Sequence, residues 1–419
     1  MHKQLSVFLM MIFGLAKGWA QPKIIAENFP YYRAVHILLN PSATQKINGF
    51  EFSSFAIETY ATADFDMLQV VVNKLDLKLQ HNKELDRIIS VLYVINSNEI
   101  QITNTGQTTI SFIVHLHFAP ELSINPVTVL ASPEGLCPKP PSVPGSLWRS
   151  GLPAPKPNPT STQAKFCIVH HSAGSNTDTN YTNTVRNIFL YHTQTNGWDD
   201  IGYNFLIAKN GTIFDGRDPQ GVSTQDNVQG AHFCGKNGGT MGTCLLGEFS
   251  TLPPFPAQLL ALEELLAWKI SKEALAATDS AQHPIGLSGF PTLWLYRISG
   301  HRDGFDGSHC NTECPGDSTW AGLNTLRYKV GERIRNCVIA GLSGPQNSSL
   351  QVFPNPANSI LELNSEHVLG SIVIFNQIGH QLLNHREEGT SVQIDISNFP
   401  AGIYYINVSG HHQKFTVIK

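Results

Sequence analysis

Two segments rich in proline, glycine and serine interrupt this chain of 419 residues and constrain its fold most strongly. Residues 136–163 contain the run PKPPSVPGSLWRSGLPAPKPNP, and residues 341–349 are rich in glycine, serine and asparagine. This composition disfavours long helices and central strands, so each segment is expected to act as a linker or an extended lead-in. The chain is also too long for one ordinary core. The sequence therefore predicts a multidomain protein.

The first residues predict export. A basic start is followed by an apolar run from Leu5 to Ala16, and Gly18, Trp19 and Ala20 supply the small-residue end of a signal peptide over residues 1–20. The run is shorter than the roughly 20 residues that span a bilayer, and no comparable run follows. We expect no integral membrane segment once the signal is removed.

Charge and cysteine content narrow the function further. The net charge of -4 gives no electrostatic reason to expect a nucleic-acid partner. Seven cysteines follow the signal peptide, and an exported chain can form disulfides. Because the count is odd, at least one thiol is left for another purpose.

The two flanking regions show the alternation of β-strands. Residues 21–135 contain short alternating runs at 89–95, 99–103 and 109–117, which favour a β-sandwich-like N-terminal domain. Residues 350–419 alternate in the same way and predict a small C-terminal β-sandwich. We find no catalytic constellation in the N-terminal region.

The central residues 164–340 mix strands with amphipathic helices. Strands are predicted at 166–170, 203–208 and 243–246, and helices at 182–195, 256–276 and 320–335. Strands interleaved with helices indicate an α/β domain, here a mixed sheet covered by helices.

Two motifs of the central domain carry candidate metal ligands. FCIVHHSAG places His170 and His171 at the end of a buried strand, and SGHRDGFDGSHCNTECPGD contains His301 and Cys314. A strand-end histidine is usually packed, and a cysteine in an exported chain is usually half of a disulfide. Two imidazoles and a thiolate are nevertheless a three-ligand shell for catalytic zinc with one open position. His171 should point to the opposite face of the strand.

The central domain is similar to the type-2 N-acetylmuramoyl-L-alanine amidases, the family that includes phage amidase lysozymes and animal peptidoglycan recognition proteins. The resemblance covers residues 148–337 and rests on four blocks in the family order: VHHSAG, GWDDIGYNFLIAKNGTIFDGRD, GAHFCGKNGGTMGTCLLGEF and GHRDGFDGSHCNTECPGD. It implies that His170, His301 and Cys314 bind Zn2+. It further implies that the enzyme hydrolyses the amide bond between N-acetylmuramic acid and L-alanine in peptidoglycan.

The resemblance also implies catalytic roles for Tyr203 and Thr312 beside the metal. Tyr203 can orient the attacking water or donate to the developing oxyanion, and Thr312 can hydrogen-bond the tetrahedral intermediate. The chain departs from some family members at two positions, since Cys244 stands where they carry a glutamate base and Thr312 where they carry a lysine. Base catalysis is then expected from Tyr203 or from zinc-activated water.

Substrate contacts are inferred only from the blocks that border the groove in the family. These residues are Trp198, Asn204, Arg217, His232 and Asn237. Arg217 can pair with a carboxylate of the stem peptide, or it can form a structural turn pair within GRD.

With Cys314 assigned to the metal, six cysteines allow fifteen pairings. Cys234 with Cys244, and Cys310 with Cys337, are the favoured disulfides. Cys167 lies in a core strand and is expected to be a free buried thiol.

The C-terminal region resembles the sorting domain of type IX secretion in the Bacteroidetes group. FPNPANSILELN, IVIFNQIGHQL, IDISNFPAGIYYINV and the ending KFTVIK carry the resemblance. It implies the type IX secretion machinery as a partner and a secreted or cell-surface location. A carbohydrate-binding or stalk domain is the alternative, and the N-terminal region is open to wall binding, glycan binding or simple spacing.

Two other functions compete with hydrolysis. A non-catalytic peptidoglycan-binding receptor could share the fold, but such a protein can dispense with the thiolate ligand that Cys314 retains. A zinc peptidase acting within the stem peptide is disfavoured because no HExxH helix is present.

Overall fold

The computed structural model describes residues 22–81, 87–122, 137–283, 293–342, 350–376, 381–409 and 411–419. The predicted signal peptide lies outside this part of the chain, as do most residues of the predicted linker 341–349. The chain divides into two compact units, one ending at Phe118 and one beginning at Ala119, with Leu92–Val94 grouped in the second. No helix among the described residues is long and apolar enough to cross a membrane.

The first unit is built on one seven-stranded sheet with the order β1-β2-β7-β3-β6-β4-β5. Its strands are β1 (Lys23–Asn28), β2 (Tyr32–Leu39), β3 (Thr44–Thr59), β4 (Leu68–Val72), β5 (Leu75–Leu77), β6 (Tyr93–Asn104) and β7 (Ile110–His117), with helix α1 (Asp64–Met67) before β4. The alternation in β7 buries Ile110, Phe112, Val114 and Leu116. The β-rich character follows from that pattern, but the predicted sandwich is not confirmed, since the strands share one hydrogen-bonded sheet.

Two buried histidines lie on β7 of this sheet. His115 Nε2 is 3.0 Å from the carboxylate of Glu58, and His117 Nδ1 is 3.2 Å from the hydroxyl of Ser54. Burial lowers the pKa of His117 to about 3. Burial alone would raise the pKa of Glu58, but hydrogen bonds from His115 and Arg87 outweigh it and lower that pKa to about 2.

We therefore expect the first unit to lose stability in acid. Below pH 6.5 the unfolded chain protonates His117, whereas the folded chain resists until about pH 3, so stability falls as the pH drops through that range. The loss between pH 7 and pH 4 should reach about 3 kcal/mol. Urea unfolding read by pulsed hydrogen exchange of β7 measures it. The substitution His117→Asn should make the stability of the first unit depend less on pH. Equal urea midpoints at pH 7 and pH 4 in the parent protein would contradict the prediction.

The central domain contains a five-stranded mixed sheet with the order β10-β9-β11-β8-β14. Strand β10 is antiparallel to β9, and the other neighbours are parallel. The strands are β8 (Phe166–His171), β9 (Phe205–Ile207), β10 (Ile213–Asp215), β11 (Thr240–Leu245) and β14 (Ile298–Gly300), with a separate hairpin of β12 (Ser280–Gln282) and β13 (Trp294–Tyr296). The helices are α2 (Gly145–Trp148), α3 (Tyr181–Leu190), α4 (Pro256–Lys272) and α5 (Asp317–Leu342). The prediction of an α/β domain with a mixed sheet is confirmed.

Strand β8 has a core on each face, which explains its continuous apolar sequence. Cys167 and Val169 pack into the main core beneath α4 and α5, whereas Phe166 and Ile168 belong to a second cluster with Phe233. Alternation therefore puts His170 on the face of the second cluster and His171 on the other. The imidazole of His171 accepts a hydrogen bond from Phe249 N, a packing role that agrees with the prediction of opposite faces.

Two of the predicted helices have other ends in the structure than the sequence indicated. Helix α3 begins at the Asn180 cap, whose side chain accepts from Asn183 N, and gives way to a π-helical turn over Tyr191–Thr195. Helix α4 ends before Ala274, which has a φ of 54°. Such a left-handed residue stops the helix although the apolar spacing continues.

The proline-rich segment packs against the central domain from Cys137 onward. Val143 bridges to Phe214, and the indole of the buried Trp148 donates to Asp215 O over 2.7 Å. A disulfide between Cys137 and Cys337 joins the start of this segment to helix α5.

Both favoured disulfide pairings are wrong. The structure pairs Cys137 with Cys337 and Cys234 with Cys310. Cys244 forms no disulfide and lies within the parallel strand β11, directly beside His170. Cys167 is a free buried thiol, as predicted.

The C-terminal region consists of two antiparallel sheets with the orders β15-β16-β19 and β18-β17-β20-β21. Their strands are β15 (Gln351–Phe353), β16 (Ile360–Asn364), β17 (Gly370–Asn376), β18 (Gln381–Glu387), β19 (Ser391–Asp395), β20 (Gly402–Val408) and β21 (His411–Val417). Leu361 and Leu363 from one sheet share a core with Ile374, Ile406 and Phe415 from the other. This small two-sheet core agrees with the predicted β-sandwich.

Candidate active site

The structure brings together the three residues predicted to bind metal. His170 lies near the end of β8, His301 begins the 3₁₀ turn His301–Gly304 directly after β14, and Cys314 follows in the same loop. One ligand atom from each residue lies within 4.8 Å of the others, and all three side chains are buried. The site forms here because β8 and β14 are parallel neighbours whose carboxyl ends meet at one edge of the sheet.

A chain of hydrogen bonds fixes the orientation of the His170 ring. Thr240 Oγ1 donates to Asn237 O over 2.8 Å and lies 3.3 Å from His232 Nε2, while His232 Nδ1 lies 3.0 Å from His170 Nε2. Because the hydroxyl has only one proton, Thr240 must accept from His232 Nε2–H, which leaves His232 Nδ1 as an acceptor. His170 therefore donates through Nε2–H, and its Nδ1 keeps a lone pair directed toward Cys314 Sγ, 3.6 Å away.

Two glycines make room for the His232 ring. A Cβ added at Gly242 would lie 2.5 Å from His232 Cδ2, and one added at Gly230 would lie 2.5 Å from the same atom. Any side chain at either position would displace the imidazole. The glycines of the GAHFCGKNGGTMG block thus seat the ring that orients His170.

The His301 ring presents a nitrogen that the protein itself does not satisfy. His301 Nδ1 is buried, and no hydrogen-bond partner for it exists among the residues described, while Nε2 lies 3.2 Å from Cys234 Sγ. A buried polar atom without a partner costs free energy unless something else binds it. Two imidazole nitrogens and a thiolate are the ligands that zinc prefers, so the residues present fit a zinc ion.

The backbone holds Cys314 in position. His171 N donates to Cys314 Sγ over 3.4 Å, and Cys314 N donates to Thr312 Oγ1 over 3.0 Å. The first contact favours the thiolate form that a metal requires. The second holds the Thr312 hydroxyl next to the backbone of Cys314.

Burial keeps the histidines of the site neutral. It lowers the pKa of His170 well below its usual value, and neighbouring His301 and His232 add to the effect. Burial likewise lowers the pKa of His301 and of His232 to about 3. A neutral imidazole has the lone pair that metal binding needs, so protons compete little with a metal near neutral pH.

Tyr203 also lies beside the ligands. Its ring centroid is 5.1 Å from that of His170 and 5.6 Å from that of His192. His192, which the sequence analysis did not single out, is buried and accepts from Gly202 N over 3.0 Å. The apolar periodicity of its helix concealed it, since that pattern predicts only packing.

Trp198 and Arg217 line a cavity of about 390 Å³ whose wall also includes Gly230 and Ala231, next to His232. The Trp198 ring lies against His192, with centroids 4.6 Å apart and the rings tilted by 40°. The Arg217 guanidinium is largely buried and donates to Ile201 O over 3.1 Å, so part of its bonding capacity supports the turn.

The other predicted substrate contacts have structural partners. Asn204 is fully buried, accepts from Gly242 N, and donates to Gln225 O and Val228 O. Asn237 accepts from the backbone of His232 and Phe233. His232 contacts His170. All three side chains thus have hydrogen-bond partners within the protein.

Comparison with known proteins identifies the family. Residues 160–317 match the model described as N-acetylmuramoyl-L-alanine amidase. Peptidoglycan-recognition protein SC2 of Drosophila simulans is 33% identical over 167 residues, which cover 38% of this chain and 72% of the relative. The chain belongs to the family of N-acetylmuramoyl-L-alanine amidases and peptidoglycan-recognition proteins.

The chain is also similar to a human amidase and to a solved insect structure. Human N-acetylmuramoyl-L-alanine amidase is 29% identical over 164 residues, covering 38% of this chain and 24% of the human protein. The solved structure of Drosophila PGRP-LB is 28% identical, with 43% of this chain and 91% of that chain covered and a TM-score of 0.33.

The tail matches a second model. Residues 351–419 correspond to the one described as a secretion system C-terminal sorting domain. The predicted sorting domain is confirmed, and with it secretion or a cell-surface location is implied.

The seating of His232 yields a prediction. Gly242→Ala should force the ring away from His170, lower the free energy of unfolding by about 1–3 kcal/mol and weaken metal binding. Gly322→Ala is the matched control, because its Cβ meets nothing within 4 Å and it lies in helix α5, where alanine is favoured. Urea unfolding and zinc titration measure both effects. Equal behaviour of the two variants would reject the steric argument.

Proposed function

We propose that the protein is a zinc-dependent amidase that cleaves the bond between N-acetylmuramic acid and L-alanine in peptidoglycan. The observation that carries the proposal is the convergence of His170, His301 and Cys314, with His301 Nδ1 buried and lacking a protein partner in the described region. Membership of the amidase family supports the substrate class.

His170, His301 and Cys314 would hold the ion through two imidazole nitrogens and one sulfur. Zinc in this position supplies Lewis acidity, which polarises the scissile carbonyl and makes water nucleophilic near neutral pH. The buried, neutral rings and the hydrogen-bond chain through His232 preorganise the ligands, so binding does not require the protein to rearrange.

Tyr203 and Thr312 are the proposed partners of the reacting atoms. The Tyr203 ring lies against the His170 ring, with centroids 5.1 Å apart. This proximity supports a role in which the phenol orients water or donates to the developing oxyanion. Thr312 Oγ1 accepts from Cys314 N, so its own proton can be donated to the tetrahedral intermediate.

Proton transfer from the attacking water is the step in which this chain departs from some relatives. Cys244 occupies the position where those members carry a glutamate, and its thiol is fully buried beside His170 in the parallel register. Burial disfavours the thiolate that a base would need. Base catalysis would then fall to Tyr203, unless a bound zinc ion would make water acidic enough to need no protein base.

The cavity lined by Trp198 and Arg217 is the proposed site for part of the substrate. An indole face and a guanidinium suit a sugar or peptide surface that carries a carboxylate. Asn204, His232 and Asn237 would support this region from beneath rather than contact the substrate.

A peptidoglycan-binding receptor without catalysis is the second candidate, favoured by the similarity to peptidoglycan-recognition proteins. The retained thiolate ligand Cys314 favours hydrolysis, because a receptor has no need of a third metal ligand. The two functions differ in their products and therefore in the test.

Metal content and product analysis test the proposal. The purified protein should bind one zinc per chain, and digestion of peptidoglycan should release stem peptides that begin with L-alanine from intact glycan strands. His301→Ala and Cys314→Ala should reduce turnover by more than about a hundredfold through loss of the metal. His309→Ala, an exposed histidine of the same loop, is the control. Full activity without metal, or binding without products, would reject the proposal.

His232 should tune metal affinity without touching the metal. His232→Leu removes the acceptor for His170 Nε2–H and should weaken zinc binding by about 10–100-fold. His232→Asn can keep an acceptor oxygen near the position of Nδ1 and should restore much of the affinity. Competition with a chromophoric chelator measures the zinc affinity of both variants. If the His232→Leu and His232→Asn variants bound zinc equally well, His232 would have no such role.

The flanking regions fit an exported enzyme. We propose that residues 1–20 are a cleaved signal peptide and that 21–135, 164–340 and 350–419 are separate domains. The sorting domain implies the type IX secretion machinery as a partner. The enzyme would then act on peptidoglycan from outside the cell or at its surface.

A further inference from the structure

The disulfide between Cys234 and Cys310 lies directly against the ligand His301. Cys234 Sγ is 3.2 Å from His301 Nε2, the nitrogen on the far side of the ring from the unpartnered Nδ1. We infer that this disulfide is a positioning element of the metal site, which fixes the tautomer of His301 and joins the loops that carry the ligands. The inference rests on the proposed metal site.

The contact between ring and sulfur has only one possible direction. A disulfide sulfur has no proton, so it can accept a hydrogen bond but cannot donate one. His301 Nε2 must therefore carry the proton and donate it to Cys234 Sγ. A neutral imidazole has one N–H, so Nδ1 then keeps its lone pair. The absence of any protein partner for Nδ1 in the described structure is an independent sign that this lone pair is reserved for an ion.

The same disulfide connects the two loops that form the site. Cys234 lies two residues after His232, which orients His170, and Cys310 lies four residues before the ligand Cys314. One covalent bond thus fixes the distance between the support of one ligand and the loop that carries the other two.

A buried ion pair joins the same loops. Lys236 Nζ lies 2.8 Å from Asp306 Oδ2, and both side chains are almost completely shielded from solvent. Asp306 also accepts from the backbone of Ser308 and His309, which holds the loop between the ligands His301 and Cys314. The disulfide and the ion pair therefore act on one interface, and the position of His301 is determined from two sides.

A second disulfide in the same domain provides a matched comparison. Cys137 lies in the main core and is bonded to Cys337 of helix α5, and neither belongs to a cluster with the ligands among the described residues. Any disulfide stabilises a folded chain by restricting the unfolded one. Only a positioning disulfide also changes the metal affinity of the protein that is already folded.

The test measures zinc affinity for the full chain, for Cys234→Ala/Cys310→Ala and for Cys137→Ala/Cys337→Ala. Alanines are preferable to chemical reduction, because reduced Cys234 and Cys310 would form a second possible metal cluster with His301. We expect the first variant to bind zinc about 10–100-fold more weakly and to show a changed cobalt(II) absorption spectrum. The second variant should bind as the parent does, although both should unfold at lower urea concentrations.

Affinity of the first variant within about twofold of the parent, or an equal loss in both variants, would overturn the inference. If the parent itself binds no zinc, the proposed function fails instead, so the two failures are distinct.

A further measurement requires no variant. In the metal-free parent labelled with nitrogen-15 histidine, long-range proton–nitrogen correlations should show His301 protonated at Nε2 and bare at Nδ1. Protonation at Nδ1 would overturn the inference even if the double alanine variant failed to fold.

Discussion

The parallel pairing of β8 with β11 and β14 is the constraint on which the site depends. Parallel strands end at the same edge of a sheet, so His170 at the end of β8 and His301 directly after β14 lie next to each other. The strands are covered on both faces by apolar cores, which keeps their ends rigid and dry. A metal site needs ligands fixed to a fraction of an ångström, and a covered parallel sheet supplies that rigidity.

Burial at this edge has two effects that oppose each other. It removes water from three histidines and lowers their pKa, which prepares neutral ligands. It also makes an unpaired nitrogen costly, and among the described residues His301 Nδ1 is buried with no hydrogen-bond partner. An ion at that point would remove the remaining cost, so the binding energy of the metal and the stability of the fold are coupled.

The sequence indicated that His170, His301 and Cys314 would lie together, because they stand in motifs with few alternatives, and the structure brings the three side chains together. It predicted the disulfides poorly, since the contact between Cys234 and Cys310 depends on how two loops 76 residues apart lie in space. Alternation in residues 21–135 located strands such as β7 but did not show how they are shared among sheets. His232 was predicted to contact the substrate because its motif borders the groove in the family. Only the structure shows that it lies within hydrogen-bonding distance of the His170 ring.

The bond between Cys137 and Cys337 gives the central domain a property that a linear chain lacks. The two cysteines lie 200 residues apart and enclose the sheet, the ligands and the covering helices within one covalent ring. A protease that trims the chain before Cys137 or after Cys337 therefore leaves no loose end at which the domain could begin to unravel. Removal of the sorting domain would shorten the molecule while the amidase-family domain stays closed by this bond.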